Sequence, residues 1–433
     1  MNLRSSTAGS EPHIVVVGAG MLGLSTAWFL QERGVRVTVL DRTGVAAGAS
    51  WGNAGWISPG MSIPLSEPTV LRYGLKALMD PDSPLFVPVK VERELMGFLL
   101  GFARRCTIGQ WQKAMQHYIP MNALSIESYE LLAAGGVSSP VHDAPLRAAF
   151  LAESDRAALE HEFELIREAG VALEADPMTG DELRAEVPVI SDRVEAGLRI
   201  RGQRYINPGE FMESLADGVR GRGGEIVLGA DVKRLRHGPG GITCELVGRE
   251  PVRGDAVVLA TGAWLPELAR QTGVKTIMVG GRGYSFSVAT SQPVPGPVYF
   301  PVQRVACTPL GERLRVGGTM EFRGPDEPLY PARVEAIIRT AEPLLDGVDW
   351  EGRQDTWVGA RPVTVDNLPL VGPTKQPGVW VAGGHGMWGI TLGPATGRLL
   401  AEYMVDGACP EPLQRWIRCA EGLLGPSALE FHW

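Results

Sequence analysis

The segment "HIVVVGAGMLGLSTAWFLQERGVRVTVLDR", His13 to Arg42, decides the fold. It opens on "IVVV", a short apolar, β-branched run of the kind buried in a parallel sheet. Gly18, Ala19, Gly20, Met21, Leu22 and Gly23 follow as G-x-G-x-x-G. "LSTAWFLQERG" then has helical spacing and stops at Gly34, and "VRVTVL" is a second strand that ends on Asp41. In such a unit Gly18 makes the turn, Gly20 lets a pyrophosphate approach the backbone, and Gly23 lets helix and strand pack closely. The helix N-terminus offers free N–H groups and the positive end of its dipole to the phosphates. Asp41 stands near the spacing of about 20 residues expected of an acid that binds a ribose hydroxyl, and an acid there disfavours a 2′-phosphate. The glycine pattern alone is weak. In its strand–turn–helix–strand–acid setting it reads as a dinucleotide site, for NAD or FAD.

Bulk properties set the frame. A chain of 433 residues is too long for one ordinary core and implies two domains, and 44% hydrophobic with 21% charged residues is an ordinary globular balance. The formal net charge of −8 argues against nucleic acid as a partner. The five cysteines (Cys106, Cys244, Cys307, Cys409, Cys419) are scattered without a C-x-x-C pair, so neither a metal site nor a disulfide framework is expected. No apolar run is long enough to span a bilayer, and residues 1–11 have no apolar core, so they read as a disordered tail rather than a secretory signal. The expected location is cytoplasmic.

Two later segments choose between the cofactors. "DAVVLATGAWLPELA" carries a buried strand, Ala256 to Ala260, into Thr261, Gly262 and Ala263, with a helix from near Trp264. "GVWVAGGHGMWGITLGPATGRLLAEYM" carries a strand into Gly383, Gly384, His385 and Gly386, with a helix from near Ile390. Glycines ahead of a helix expose N–H groups and a positive dipole end. Such an end stabilises the negative charge that a reduced flavin bears near N1 and the C2 carbonyl. NAD enzymes need no such element, so the reading is FAD.

With these residues in hand, the chain resembles the D-amino-acid oxidase-like FAD oxidoreductases, and within them the bacterial D-amino acid dehydrogenases. The motifs that carry the resemblance are "ASWGNAGWISPG" (Ala49 to Gly60), "MDPDSPLFV" (Met79 to Val87), "GRGYSFSV" (Gly281 to Val288), "GARPVTVDNLPLVGP" (Gly359 to Pro373) and "GHGMWGITLGPATG". The resemblance implies an α/β fold: a Rossmann-like FAD-binding domain of the two-dinucleotide-binding-domain type, interleaved with a substrate domain of antiparallel β-sheet plus helices. The expected pieces are 12–75, 200–270 and 350–433 for FAD, and 76–199 and 271–349 for substrate. It places Val232 against the adenine end, and Thr261, Gly262 and Trp264 beside the cofactor. Asp41 and Arg42 end the ribose-binding strand. The loop with Ala49, Ser50, Asn53, Ala54, Gly55 and Trp56 would pass under the isoalloxazine, with Trp51 as a wall or as packing. Gly384, His385, Gly386, Met387, Gly389, Ile390 and Thr391 would border the flavin. With no cysteine between Cys307 and Cys409, FAD is expected to be non-covalent.

Arg361, the one cation of "GARPVTVDNLPLVG", is the expected fork for a substrate carboxylate, set between an apparent strand (Thr356 to Gly359) and a proline. A guanidinium grips a carboxylate through two parallel hydrogen bonds and so fixes orientation. The competing role is a salt bridge to Asp366; Asp366 and Asn367 are expected to shape the turn. Tyr284 is a candidate to line the pocket or hydrogen-bond the carboxylate, with a packing role about as well supported. His385 is a candidate base or, preferably, a helix-entry residue at the flavin. Arg282 is a second carboxylate candidate, and Met387 and Trp388 are wall candidates.

The implied reaction is FAD-dependent oxidative deamination of an amino acid, D-substrates favoured, giving an imino acid and then a 2-oxo acid and ammonia. Glycine, sarcosine or a cyclic imino acid is an alternative substrate, and a non-catalytic FAD subunit of a larger complex is the alternative of another class. The electron acceptor (oxygen, a quinone or a carrier protein) and the oligomeric state are left open. The helical stretch Lys90 to Met115, with a break near Thr107–Gly109, is a candidate for peripheral docking on the inner face of a membrane or for burial against the substrate domain.

Overall fold

The protein was analysed as a computed structural model, which describes residues 11–67, 85–86 and 93–417. The opening segment folds as β1 (His13–Val17), helix α1 (Met21–Glu32) and β2 (Arg36–Asp41). β1 pairs in parallel with β2 on one side and with the strand Ala256–Leu259 on the other. The full order is Glu225–Leu228, β2, β1, Ala256–Leu259, Val379–Gly383, Leu370–Pro373. All neighbours are parallel except the last pair. The chain therefore leaves β1 in one direction and later returns on its other side. That reversal opens a crevice at the carboxyl ends of the strands.

Helix α1 is apolar nearly all round because it is covered nearly all round. Its buried residues run from Met21 through Leu30. One side lies on the sheet and the other meets helix α2 (Gly389–Asp406). At Gly397 the two backbones come so close that a Cβ would lie 2.7 Å from the Thr26 nitrogen.

The second sheet is built around β3 (Met278–Thr290), β4 (Arg313–Phe322) and β5 (Val348–Thr364). Its order is β5, β3, β4, Val305–Leu310, Val298–Phe300, Leu146–Phe150, Ala196–Ile200, Ala175–Thr179. Along this path pairing is antiparallel except between Leu146–Phe150 and Val298–Phe300. The helix Pro331–Ala341 covers one face, with Val334, Ile337 and Ile338 packed among Tyr284, Phe286 and Val288.

β5 differs from expectation. The strand expected over Thr356–Gly359 continues through Arg361 to Thr364. Pro362 is tolerated because β5 is an edge strand and can do without one ladder N–H. Residues 350–364, grouped by sequence with the FAD-binding pieces, thus run in the antiparallel sheet.

The stretch after residue 90 forms helices Arg93–Ala103 and Ile108–Ala123, the second capped by the Thr107 hydroxyl, so the break falls just before its expected place. The first helix buries Leu95 and Phe98 and leaves Met96 and Leu100 exposed. Among the described residues no helix is long and apolar enough to cross a membrane. The expected tail, residues 1–11, lies outside the described residues except for Glu11, as does "MDPDSPLFV" except for Leu85 and Phe86.

Candidate functional site

The crevice at the strand ends encloses about 1250 Å³, its open mouth included. The floor is the first turn of the nucleotide unit. Gly18 has φ +113°, and a Cβ there would press on the Ala260 backbone. A Cβ on Gly23 would collide with the Gly18 carbonyl, which explains that glycine by packing. Asp41 is fixed at the end of β2: Oδ2 accepts from the Ala19 N–H at 2.8 Å, and Oδ1 from Thr43 and Gly44. The Ser50 hydroxyl accepts from the Met21 N–H at 3.2 Å, tying the glycine-rich loop of residues 49–60 to the N-terminus of α1.

Gly18, Gly20, Met21, Leu22, Asp41, Arg42, Ala49, Ser50, Asn53, Val232, Thr261, Gly262, Trp264, Arg361, His385, Gly386, Gly389 and Ile390, all expected at the cofactor, do line this cleft. The remainder of that set does not line it. Ala19 and Gly23 hold the turn. The Ala54 carbonyl accepts from Thr308, the Gly55 carbonyl from the Ile206 N–H, and the Trp56 carbonyl from the Thr391 hydroxyl. Gly384 and Met387 line a small pocket with Tyr118 and Asn367, which shares His385 and Gly386 with the cleft. The Trp388 indole N–H donates to the Ile63 carbonyl at 2.7 Å and so acts in packing.

The donor set suits a flavin dinucleotide. Neither α1 nor α2 has a capping side chain at its own N-cap, so both ends present backbone dipoles to the cleft. The Thr261 hydroxyl lies buried at the cleft wall with no hydrogen-bond partner among the described residues.

Arg361 closes the far end. Its Nη1 donates to the Thr319 carbonyl at 3.2 Å, and Nε and Nη2 make no hydrogen bond within the described residues. No carboxylate among the described residues pairs with it, so the Asp366 salt bridge is not formed. Burial without a counter-charge pulls its pKa down to about 10, which leaves it cationic at neutral pH. Asp366 instead accepts from the Leu368 N–H, and Asn367 takes φ +61°, so both shape the turn.

Tyr284 and Arg282 do not reach this site. Successive strand residues point to opposite faces, and Gly281 and Gly283 take the cleft side of β3. Tyr284 points away and donates to Glu321 Oε2 at 2.6 Å; burial first, then this bond, pushes its pKa well up. Arg282 is 1% exposed, with Nη2 on the Pro328 carbonyl and Nη1 4.0 Å from Glu321. His385 lines the cleft, yet it is 1% exposed and its Nε2 is engaged with the Thr396 hydroxyl at 2.9 Å. Burial drives its pKa down to about 3, so the ring is neutral, and its Nδ1 is buried without a hydrogen-bond partner among the described residues.

Gly283 and Trp357 were missed in the sequence. A Cβ on Gly283 would collide with the Arg361 guanidinium, and Trp357 lies over Gly52 and Gly359, pinning the glycine-rich loop to β5. A glycine inside a strand pattern was the available signal. Asp231, Ala47 and Gly48 also line the cleft and carry no motif.

Residues 13–403 match the family described as FAD dependent oxidoreductase, DAO. The chain belongs to that family and is an FAD-dependent oxidoreductase. A D-amino acid dehydrogenase of Cereibacter sphaeroides is 31% identical over 407 residues, 92% of each chain. A glycine oxidase from Geobacillus kaustophilus superposes with a TM-score of 0.70 at 21% identity, covering 94% of this chain and 98% of that one. An L-proline dehydrogenase from P. horikoshii does so with a TM-score of 0.70 at 16% identity, covering 95% and 97%.

Proposed function

We propose that this protein oxidises the Cα–N bond of an amino acid, with D-amino acids the favoured class. The observation that carries the reading is Arg361: a guanidinium in the wall of the flavin cleft that has, among the described residues, no acidic partner and an unengaged Nε–Nη2 edge. A carboxylate ligand satisfies that edge with two parallel charge-assisted hydrogen bonds. The D-amino acid dehydrogenase relative supports the substrate class.

Bound FAD supplies the acceptor for the α-hydrogen and its electron pair. The protein's own work is placement. Arg361 fixes the carboxylate, which orients the Cα–H of the substrate. The loop of residues 49–55, pressed down by Trp357, forms the wall beside it. The N-terminus of α2 provides a positive dipole end where negative charge develops. His385 transfers no proton in this scheme; the amine reacts once it has lost its own proton to solvent, and its lone pair forms the C=N bond as the hydride leaves. Water then converts the imino acid to a 2-oxo acid and ammonia. None of Cys106, Cys244, Cys307 or Cys409 lines the cleft, in keeping with non-covalent FAD.

The test is anaerobic mixing of the yellow protein with D-alanine, D-proline or glycine. Loss of the oxidised flavin absorbance with at least one of them is expected. A flavin that stays oxidised with every amine tried would remove this reading and leave the non-catalytic subunit.

A further inference from the structure

Arg361 is held by a strand two places away from its own. β5, β3 and β4 lie side by side. Arg361 stands opposite Gly281, and its side chain crosses β3 above Gly283, where any Cβ would block it. It ends on β4, at the Thr319 carbonyl. In a regular ladder, strand carbonyls point at neighbouring strands within the sheet, not at a side chain lying over its face.

The ladder is irregular at this point. Between β3 and β4 the register passes from Arg282 opposite Glu321 to Tyr284 opposite Gly318. Thr319 and Met320 together therefore face the single residue Gly283, which is a β-bulge, a device that re-aims backbone and side-chain groups. Thr319 sits at φ +60°, a left-handed conformation that a β-branched residue rarely adopts. Its Oγ1 is buried and has no hydrogen-bond partner among the described residues. The chain thus accepts both a strained backbone and, among the described residues, an unpaired hydroxyl at the residue whose carbonyl accepts from Arg361. Strain of this kind persists only where surrounding structure imposes it.

We propose that the Thr319–Met320 bulge is a positioning device and Thr319 a positioning residue: its re-aimed carbonyl fixes Nη1 and so presents the Nε–Nη2 edge of Arg361 to the substrate carboxylate. Gly283 supplies the gap through which the guanidinium passes. The inference rests on Arg361 being the carboxylate fork.

The experiment compares Thr319→Gly, Thr319→Val and Thr319→Pro in the FAD-loaded enzyme, with D-alanine turnover and benzoate binding followed by the flavin spectrum. Gly and Val keep the carbonyl and the bulge, so KM and the benzoate Kd stay within about threefold of wild type. Proline fixes φ near −65° and cannot hold the bulge; KM and Kd rise about 10- to 100-fold while kcat at saturation and FAD content change little. Should the proline variant fail to fold, Met320 is replaced by its α-hydroxy analogue. The residue-319 carbonyl then becomes an ester, a weaker acceptor, with every side chain unchanged, and a rise in KM of about three- to tenfold is expected. A tenfold rise in Thr319→Val would overturn the proposal, because the hydroxyl would then be the contact; so would an unchanged KM in the proline and ester forms. Arg361→Ala separates the two levels: if it raises KM and the Thr319 series does not, the positioning role alone fails, and if Arg361→Ala leaves KM unchanged, the carboxylate fork fails with it.

Discussion

Among the buried and half-buried arginines of this molecule, the partner decides the role. Arg282, Arg323 and Arg333 gather around Glu321, itself fully buried, and the charges are settled within the protein. Among the described residues Arg361 has only a carbonyl. Taking a charged ligand away from such a group, or the group away from its ligand, is expensive, and Arg361→Ala is expected to weaken substrate binding by about 2–5 kcal/mol while FAD is retained. Arg361→Lys restores charge without the fork and should recover only part of the loss. Steady-state KM and the A450/A280 ratio check both. His385 allows a test by pH. Its folded pKa of about 3 lies below the ordinary 6.5. Below about pH 6.5 the unfolded chain takes up a proton that the folded protein refuses, so stability falls with pH, by about 2 kcal/mol at pH 5 from this group. A His385→Asn variant should lose part of the acid destabilisation, seen as a flatter Tm between pH 7 and 5. At this scale the sequence was legible where a lone cation stood among glycine and proline. It left Tyr284 open between pocket and packing, because a shift of one residue along a strand exchanges the two faces.

At the scale of elements, periodicity located β1, α1, β2, the strand at Ala256 and helix α2, since each is long or strongly patterned enough to show its period. It did not find the length of β5. "VDWEGRQDTWVGARPVT" has no clean alternation, because an edge strand with a solvated stretch is not held to one. The contact of α1 with α2 also rests on an element-level feature, the small residues where their backbones meet. Gly397→Val would drive a side chain into the Ser25–Thr26 backbone, which cannot yield as a flexible side chain could. Overpacking of this kind costs about 1–3 kcal/mol or more. Thermal melting of the apoprotein should show the loss, and because α2 carries its N-terminus to the cleft, FAD affinity should fall as well.

Across the whole molecule, the two sheets are tied together over the cleft. Asp326, from the loop after β4, pairs with Arg42 at 2.6 Å and accepts from the Trp264 indole at 2.9 Å, while Arg42 lies 4.2 Å over the Trp264 ring. Burial raises the Asp326 carboxyl, but the bonds from Trp264 and Arg42 outweigh it and hold the pKa below the ordinary value. The contact is therefore complete at neutral pH and is lost only in strong acid. Exposed pairs contribute at most about 1 kcal/mol, so Asp326→Ala should speed FAD release by up to about fivefold, less at high salt, as read by the recovery of FAD fluorescence on dilution. Neither Asp326 nor Trp357 nor Thr319 could be connected to the cleft by reading along the chain, since each acts across tens to hundreds of residues.

By itself the sequence determined the nucleotide unit, the choice of FAD over NAD and the position of Arg361, because turn glycines, helix starts and a strand's apolar period are local physics written within some thirty residues. Only the tertiary structure decided which side of β3 faces the cofactor, that Arg361 lies within a strand, and that its guanidinium is steered from β4. Those follow from register and from a single-residue bulge, and register is set by long-range strand pairing and burial.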